Sequence, residues 1–175
     1  MRRACTLLRQ RCPSEVATEK HRGYGVARQI EYVDLDALNI SCTEAFDVVL
    51  FKSVLGGIGR GNQKDRQRKA VAEMYRSLKP GGELWFAENL VASPLHRLLR
   101  RRWVQWGMQW RYITVREMLE FLSPFSMVNY TTVGFLGALG RNARQRTLLG
   151  RLDRLGFDRL ISEAWHYIII GVAHK

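Results

Sequence analysis

The stretch FDVVLFKSVL (residues 46–55), together with LKPGGELWF (residues 78–86), decides the fold. Each contains an apolar run that is too short for a typical helix and rich in strand formers. Between the two runs, one face of a helix-like segment carries apolar side chains, namely Ala70, Val71, Met74, Tyr75 and Leu78. A strand, a helix, a turn and a second strand form the building block of a parallel sheet. The sequence therefore predicts an α/β fold.

The size and charge of the chain restrict its class. A chain of 175 residues suits one domain, and no apolar run is long enough to span a bilayer. The N-terminus has no signal-peptide pattern, which predicts a cytoplasmic protein, with attachment to a membrane surface as an alternative. The net charge of +12 favours polyanions as partners, although a merely solvated basic surface would have the same charge. The cysteines and histidines show no metal spacing, so we expect no metal site.

The remaining segments predict a domain over residues 14–175, preceded by a peripheral basic segment over residues 1–13. Alternating polarity predicts a strand at Ile30–Leu35. A further strand is predicted at Ser126–Val133. Tyr167–Ala173 is apolar throughout, so we expect a strand that is buried on both faces. The spacing of Thr114 and Glu117 predicts a capping box that opens a short helix.

The order of these segments is similar to a known family. A Phe-Asp-Val-Val strand, a helix, and Leu-Lys-Pro-Gly-Gly before another strand resemble the middle of a class I S-adenosylmethionine-dependent methyltransferase. The resemblance implies a Rossmann-like sheet whose last strand, Tyr167–Ala173, runs antiparallel. It implies methyl transfer from S-adenosylmethionine to a small molecule, a glycan or a lipid-linked acceptor. The alternative is a non-catalytic basic protein that binds nucleic acid or an acidic partner.

The resemblance also implies where the cofactor binds. Asp36 matches the acidic residue that accepts a hydrogen bond from the adenine amino group, and Ala37 follows it beside the ring. The chemistry is sound, because a carboxylate only accepts and an exocyclic amine donates. Asp34 is the alternative candidate for this acidic position, in a different register of the match. By the same resemblance Phe51, Lys52 and Ser53 wall the methionine end of the cofactor.

Four residues are candidates for the acceptor side of the site. Glu88 and Asn89 end a strand at the ligand-binding edge, where they could orient an acceptor or, for Glu88, take its proton. The alternative is a structural role that caps the following loop. Arg111 and Tyr112 follow the next helix and could line the same pocket.

Residues 94–111 form that helix in this interpretation, with Trp103, Trp106 and Trp110 on one narrow face. Core packing explains such a stripe, and the functional alternative is an interfacial helix whose Trp and Arg side chains meet lipid headgroups. Nucleic acid is the less favoured partner because no extra RNA-binding module is visible.

Two family features are missing from the sequence before residue 36. The family's first strand is followed by a Gly-x-Gly-x-Gly loop, and its second ends in an acidic residue that binds the ribose. Gly23-Tyr24-Gly25 precedes a predicted strand instead of following one. We therefore expect an N-terminally truncated methyltransferase sheet that binds S-adenosylmethionine weakly or not at all. Whether this chain by itself catalyses methyl transfer does not follow from the sequence.

Overall fold

The structure is a computed structural model of the chain, and it describes residues 4–6, 22–24, 33, 35–103, 109–140, 142–157 and 160–175. The strands within these residues are β1 (Ala4–Thr6), β2 (Phe46–Lys52), β3 (Leu78–Asn89), β4 (Met127–Val133) and β5 (Ile168–His174). The α-helices are α1 (Leu55–Ile58), α2 (Lys64–Ser77), α3 (Pro94–Trp103), α4 (Val115–Phe121) and α5 (Ala143–Leu152). A π-helical turn, Asp153–Phe157, continues α5.

All of these strands belong to one mixed sheet in the order β1-β2-β3-β5-β4. The strands β1, β2 and β3 pair in parallel, and β5 runs antiparallel between β3 and β4. This arrangement confirms the predicted α/β fold with an antiparallel last strand. Because β3 and β4 both oppose β5, their carboxyl ends lie at the same edge of the sheet, beside the carboxyl end of β2.

The hydrophobic core lies on one face of this sheet. Side chains of β2 and β3 pack there against α1, α2 and α4, and Ala37 and Ile40 join the same cluster from the segment before β2. The physical reason is the order of the strands. Since β2 and β3 are parallel neighbours, a right-handed crossover places α1 and α2, which connect them, on one side of the sheet.

The opposite face of the sheet is apolar but open. Leu50, Trp85 and Ile170 are 42%, 46% and 43% exposed, and the pairing register sets Leu50 directly beside Trp85. The expectation that Tyr167–Ala173 is buried on both faces is therefore wrong. Ile169 is fully buried, whereas Ile170 points to the open face. An apolar strand indicates two apolar faces, but burial requires a second layer, and the core helices supply only one.

Two further expectations meet the structure differently. The strand predicted at Ile30–Leu35 falls mostly outside the described residues, and Val33 and Leu35, which are described, are not in a strand. Ala4–Thr6 lies in the segment expected to be peripheral, yet it pairs with β2 as β1. A three-residue strand beside arginines is too short to show a period-two pattern.

The helix predicted over residues 94–111 is described as α3 up to Trp103, and residues 104–108 lie outside the described part. Trp110 is not part of α3 and is buried. Its burial agrees with the core-packing interpretation and not with contact to lipid headgroups. None of the helices in the described residues has the length and hydropathy needed to cross a bilayer.

Candidate functional site

The carboxyl edge of the sheet brings together the residues that end β2 and β3. Ser53 follows β2 with a positive φ of 54°, and its amide donates to the carbonyl oxygen of Ala87 at 2.8 Å. The Ser53 hydroxyl accepts a hydrogen bond from the Asn89 side-chain amide at 2.9 Å. Two predicted site residues, one assigned to the cofactor and one to the acceptor, are thus in direct contact. Lys52, the last residue of β2, is exposed beside them.

Glu88 points to the opposite face from Asn89 and is almost completely buried. Its carboxylate accepts from the amide of Leu55 at 2.8 Å and from the amide of Asn89 at 2.9 Å. Leu55 opens α1, so the side chain caps that helix from the neighbouring strand, and its bond to Asn89 also satisfies the following turn. Burial raises the pKa of Glu88 to about 7, although hydrogen bonds from the surrounding backbone amides act in the opposite direction.

Arg111 holds the loop after β2 in place. Its guanidinium donates to the Gln67 side chain at 2.7 Å and to Asn62 at 3.1 Å, and it also pairs with Glu117. The buried Gln67 amide donates in turn to the carbonyl oxygens of Leu55 and Arg111, each at 2.9 Å. The structure therefore places the predicted acceptor-side Arg111 in a network that connects α1, α2 and α4. Its neighbour Tyr112 lies beside the Trp110 ring.

Glu117 links this network to the start of α4. It completes the predicted capping box with Thr114, which the structure confirms. Burial alone would raise the pKa of Glu117. The pKa is nevertheless below its ordinary value of 4.5, because Arg111 and the Thr114 amide donate hydrogen bonds to the carboxylate, and because the positive charges of Arg111 and Lys64 lie nearby.

The glycine-rich loop between α1 and α2 has a packing role. The letters Gly57-Ile58-Gly59-Arg60-Gly61 repeat the spacing of a cofactor-binding loop, but they begin inside α1. A Cβ atom on Gly59 would lie 2.4 Å from the Gln67 side chain and 2.9 Å from Arg111. Gly59 is therefore explained by the close approach of these two side chains.

Asp36 and Ala37 lie in a turn that precedes β2. One carboxylate oxygen of the exposed Asp36 accepts from the Leu38 amide at 3.0 Å, and the Asn39 amide donates to the Asp36 carbonyl oxygen at 2.9 Å. Ala37 is buried in the same core cluster as Phe51. The Phe51 ring stacks on Phe86 at 6.3 Å inside that core, so its side chain faces the helices.

A buried serine–histidine pair at the same edge was not predicted. Ser93 caps α3, and its hydroxyl lies 2.7 Å from His96 Nδ1, while His96 Nε2 lies 2.8 Å from the Phe135 carbonyl oxygen. A carbonyl oxygen can only accept, so Nε2 carries a proton and, in a neutral ring, Nδ1 accepts from Ser93. The Ser-Pro helix start was visible in the sequence, but the loop at Phe135 is brought to His96 only by the fold. The described residues contain no cluster of three or more His, Cys, Asp or Glu side chains suited to a metal ion.

Comparison with known proteins agrees with this architecture. Residues 10–86 match a family described as "Methyltransferase domain". No curated protein matches the chain. Many solved structures share the fold.

Three of these structures illustrate the range of functions. The [4+2]-cyclase SpnF has a TM-score of 0.61 at 18% identity, over 98% of this chain and 65% of its own. Phosphoethanolamine N-methyltransferase 2 of Haemonchus contortus, solved with S-adenosylhomocysteine and phosphomonomethylethanolamine, has a TM-score of 0.57 at 17% identity, over 91% of this chain and 40% of its own. A Bacillus halodurans C-125 protein described as a methyltransferase has a TM-score of 0.59 at 17% identity, over 98% of this chain and 82% of its own.

The chain spans less than two thirds of the first two of these structures. The match over residues 10–86 covers the segment before β2 as well as β2, α2 and most of β3. The antiparallel insertion of β5 completes the resemblance that the sequence indicated. The chain therefore shares the fold of these structures, and over residues 10–86 its sequence is similar to a methyltransferase domain.

Proposed function

We propose that the carboxyl edge of the sheet binds S-adenosylmethionine and directs its methyl group to a small molecule, a glycan or a lipid-linked acceptor. The observation that carries this proposal is the coincidence of two features. The methyltransferase-domain match ends inside β3. The end of β2 lies within this match, and the Ser53–Asn89 and Glu88–Leu55 hydrogen bonds join it to the end of β3 just beyond the match, so one edge of the sheet is held in a single geometry.

The residues at the adenine end fit this cofactor. Asp36 is exposed, its carboxylate is an acceptor, and the hydrogen bond from the Leu38 amide occupies only part of the acceptor capacity of its two oxygens. The backbone of Ala37, whose side chain is buried in the core, would lie beside the ring, and the backbone from Phe51 to Ser53 would border the methionine end. When bound, S-adenosylmethionine supplies an electrophilic methyl group on a sulfonium.

The protein's own contribution is positioning. Glu88 fixes the start of α1, and Asn89 fixes Ser53, so the turn after β2 cannot shift without breaking these two hydrogen bonds. Holding an acceptor in line with a methyl group lowers the barrier mainly through proximity and orientation. Since Glu88 is buried and its carboxylate is engaged by amides, we assign it to positioning in preference to proton removal.

The direct test is transfer of an isotopically labelled methyl group by the whole chain. Representative small-molecule, glycan and lipid-linked acceptors would be supplied one class at a time. Formation of S-adenosylhomocysteine together with a labelled acceptor supports the proposal. Binding without transfer to any class would contradict it, which matters because this fold also carries other chemistry in SpnF.

We expect this chain to bind S-adenosylmethionine weakly. The sequence before residue 36 has no Gly-x-Gly-x-Gly loop that would let the backbone approach the cofactor closely. Calorimetric titration of the 175-residue chain should give a dissociation constant well above the low-micromolar range. A low-micromolar value, about −8 kcal/mol, would show that other residues replace that loop.

Replacing Asp36 tests the adenine contact. Asp36→Ala should weaken cofactor binding by about five- to 150-fold, because an unpaired donor costs roughly 1–3 kcal/mol. Asp36→Asn keeps an oxygen for the Leu38 amide, so it separates the role in the turn from the role of the carboxylate. Ligand-observed NMR would report these weak affinities, and melting temperatures would report stability.

The matched control for this prediction is Asp34→Ala, the competing register in the sequence. It should leave cofactor binding nearly unchanged. Equal affinity losses in the Asp34 and Asp36 variants, or an Asp36 loss that only follows a fall in melting temperature, would refute the assignment.

A further inference from the structure

Two basic helices are attached to the same loop at the carboxyl edge. The loop follows β4, and His96 of α3 binds the carbonyl oxygen of the loop residue Phe135 at 2.8 Å. Asp153, at the end of α5, accepts from the amides of Leu136 and Gly137, each at 2.8 Å. Three consecutive loop residues therefore hold α3 and α5 at one end of the molecule.

The outer face of α3 combines leucine with arginine. Leu95 and Leu98 are 45% and 65% exposed, and the exposed Arg102 follows at the next helical spacing. His96, by contrast, points inward and is buried. Residues 94–103 include four arginines and no acidic residue.

The outer face of α5 repeats this combination. Leu148, Leu152 and Leu155 follow one another at intervals of four and three residues, and they are 62%, 37% and 83% exposed. No residue of α5 itself is buried. Residues 143–157 include four arginines and a single acid, Asp153, which is buried against the loop.

We propose that these outer faces of α3 and α5, the basic leucine surface, dock on an anionic lipid bilayer. Arginines that surround exposed leucines, with no exposed carboxylate in either described helix, match a surface of negative headgroups above acyl chains. Leucines exposed to this extent have an unfavourable free energy in water, and insertion at the headgroup boundary removes it. The arginine charges attract the protein to the anionic bilayer, and the inserted leucines keep it bound there.

A bilayer explains the leucines better than nucleic acid does. Phosphate contacts on a nucleic acid are made by arginine, lysine and polar groups, and exposed leucines add nothing to them. The surface also lies at the edge where the proposed methyl-transfer site opens. On the proposed function, this placement favours a lipid-linked acceptor, whereas the docking itself needs neither cofactor nor acceptor.

Vesicle flotation of the whole chain tests the docking alone. We expect binding to phosphatidylcholine vesicles that contain phosphatidylserine, and much weaker binding to phosphatidylcholine alone. The double variant Leu98→Ser and Leu155→Ser should lose at least about tenfold in partition, because it removes two leucine side chains that would leave water on docking. Both side chains are exposed, so circular dichroism should show an unchanged fold.

A matched pair of charge variants separates local from general electrostatics. Arg97→Gln with Arg151→Gln should weaken binding to anionic vesicles strongly, whereas Arg66→Gln with Lys69→Gln, on α2, removes the same charge and should weaken it little. Equal losses in the two pairs would overturn the proposal. So would the absence of anionic-vesicle binding, or binding that survives the leucine variant. RNA binding without vesicle binding, or self-association that the leucine variant abolishes without vesicle binding, would assign the surface to those partners instead.

Discussion

Gly171→Ala should destabilise the protein by about 2–3 kcal/mol, because β5 has no space for a side chain at its centre. A Cβ atom there would lie 2.5 Å from the backbone carbonyl oxygen of Asn129 and 2.5 Å from the Phe86 ring. Phe86 is the partner of Gly171 across the β3–β5 pair, and its ring occupies the gap that the glycine leaves. Chemical denaturation should show the loss as a lower midpoint, and the melting temperature should fall by roughly 5–10 °C.

Gly57→Ala is the matched control for this prediction. Gly57 lies inside α1, and nothing stands within 4 Å of its would-be Cβ. Alanine should therefore be neutral or stabilising there by up to about 1 kcal/mol. Replacing the Phe86 ring with a smaller side chain, Phe86→Leu, should recover part of the stability lost in Gly171→Ala. The recovery should be incomplete because the close Asn129 carbonyl oxygen remains. If Gly171→Ala behaves like Gly57→Ala, the close packing of β5 is refuted.

Glu88 should make the protein less stable as the pH rises from about 4.5 to about 7. Burial raises the pKa of Glu88 to about 7 in the folded protein, against an ordinary value of 4.5. Between these values the folded state binds more protons than the unfolded state, so the free energy of unfolding falls with increasing pH. The full difference is on the order of 3 kcal/mol, present below pH 4.5 and lost above pH 7.

The pH dependence of unfolding in Glu88→Gln isolates this effect. Glutamine does not titrate, so the stability of the natural protein relative to the variant should fall across this pH window, whatever constant offset the amide introduces. Asn89→Ala, which removes the bond to Ser53 and leaves Glu88 in place, should keep the slope of the natural protein. A stability difference between the natural protein and Glu88→Gln that stays constant from pH 4 to 8 would contradict the assignment.

The sequence carried enough information to predict most of the elements at the site. The strands β2 and β3, the helix α2 between them and the capping box of Thr114 and Glu117 depend on residues that are close in the chain. Their periodicity and capping chemistry are local, and local signals survive in a sequence read by itself. The antiparallel β5 was predicted through the family resemblance, since no local signal states the direction of a strand.

The roles of individual side chains were less accessible. Glu88 and Asn89 are adjacent and were assigned together, but strand alternation sends one to the buried face and the other to Ser53. Arg111 was predicted to line the acceptor pocket from its position in the sequence alone. Its contacts to Gln67 and Glu117, by contrast, depend on how α1, α2 and α4 pack together. The assignments of Asp36, Ala37, Lys52 and Tyr112 stay predictions, and the Asp36 variants described above test the first of them.

What the sequence determined by itself is the set of apolar faces and helix starts that make this an α/β sheet, because hydrophobic periodicity and capping act over a few residues. Only the tertiary structure decided which face of the sheet the helices cover, that Ile170 and Trp85 stay exposed, and that α3 and α5 share one loop. These features follow from strand order, register and crossover side, and they join residues that are far apart in the chain. No pattern within a single segment can specify such a contact, because the partner's position is set by the whole fold.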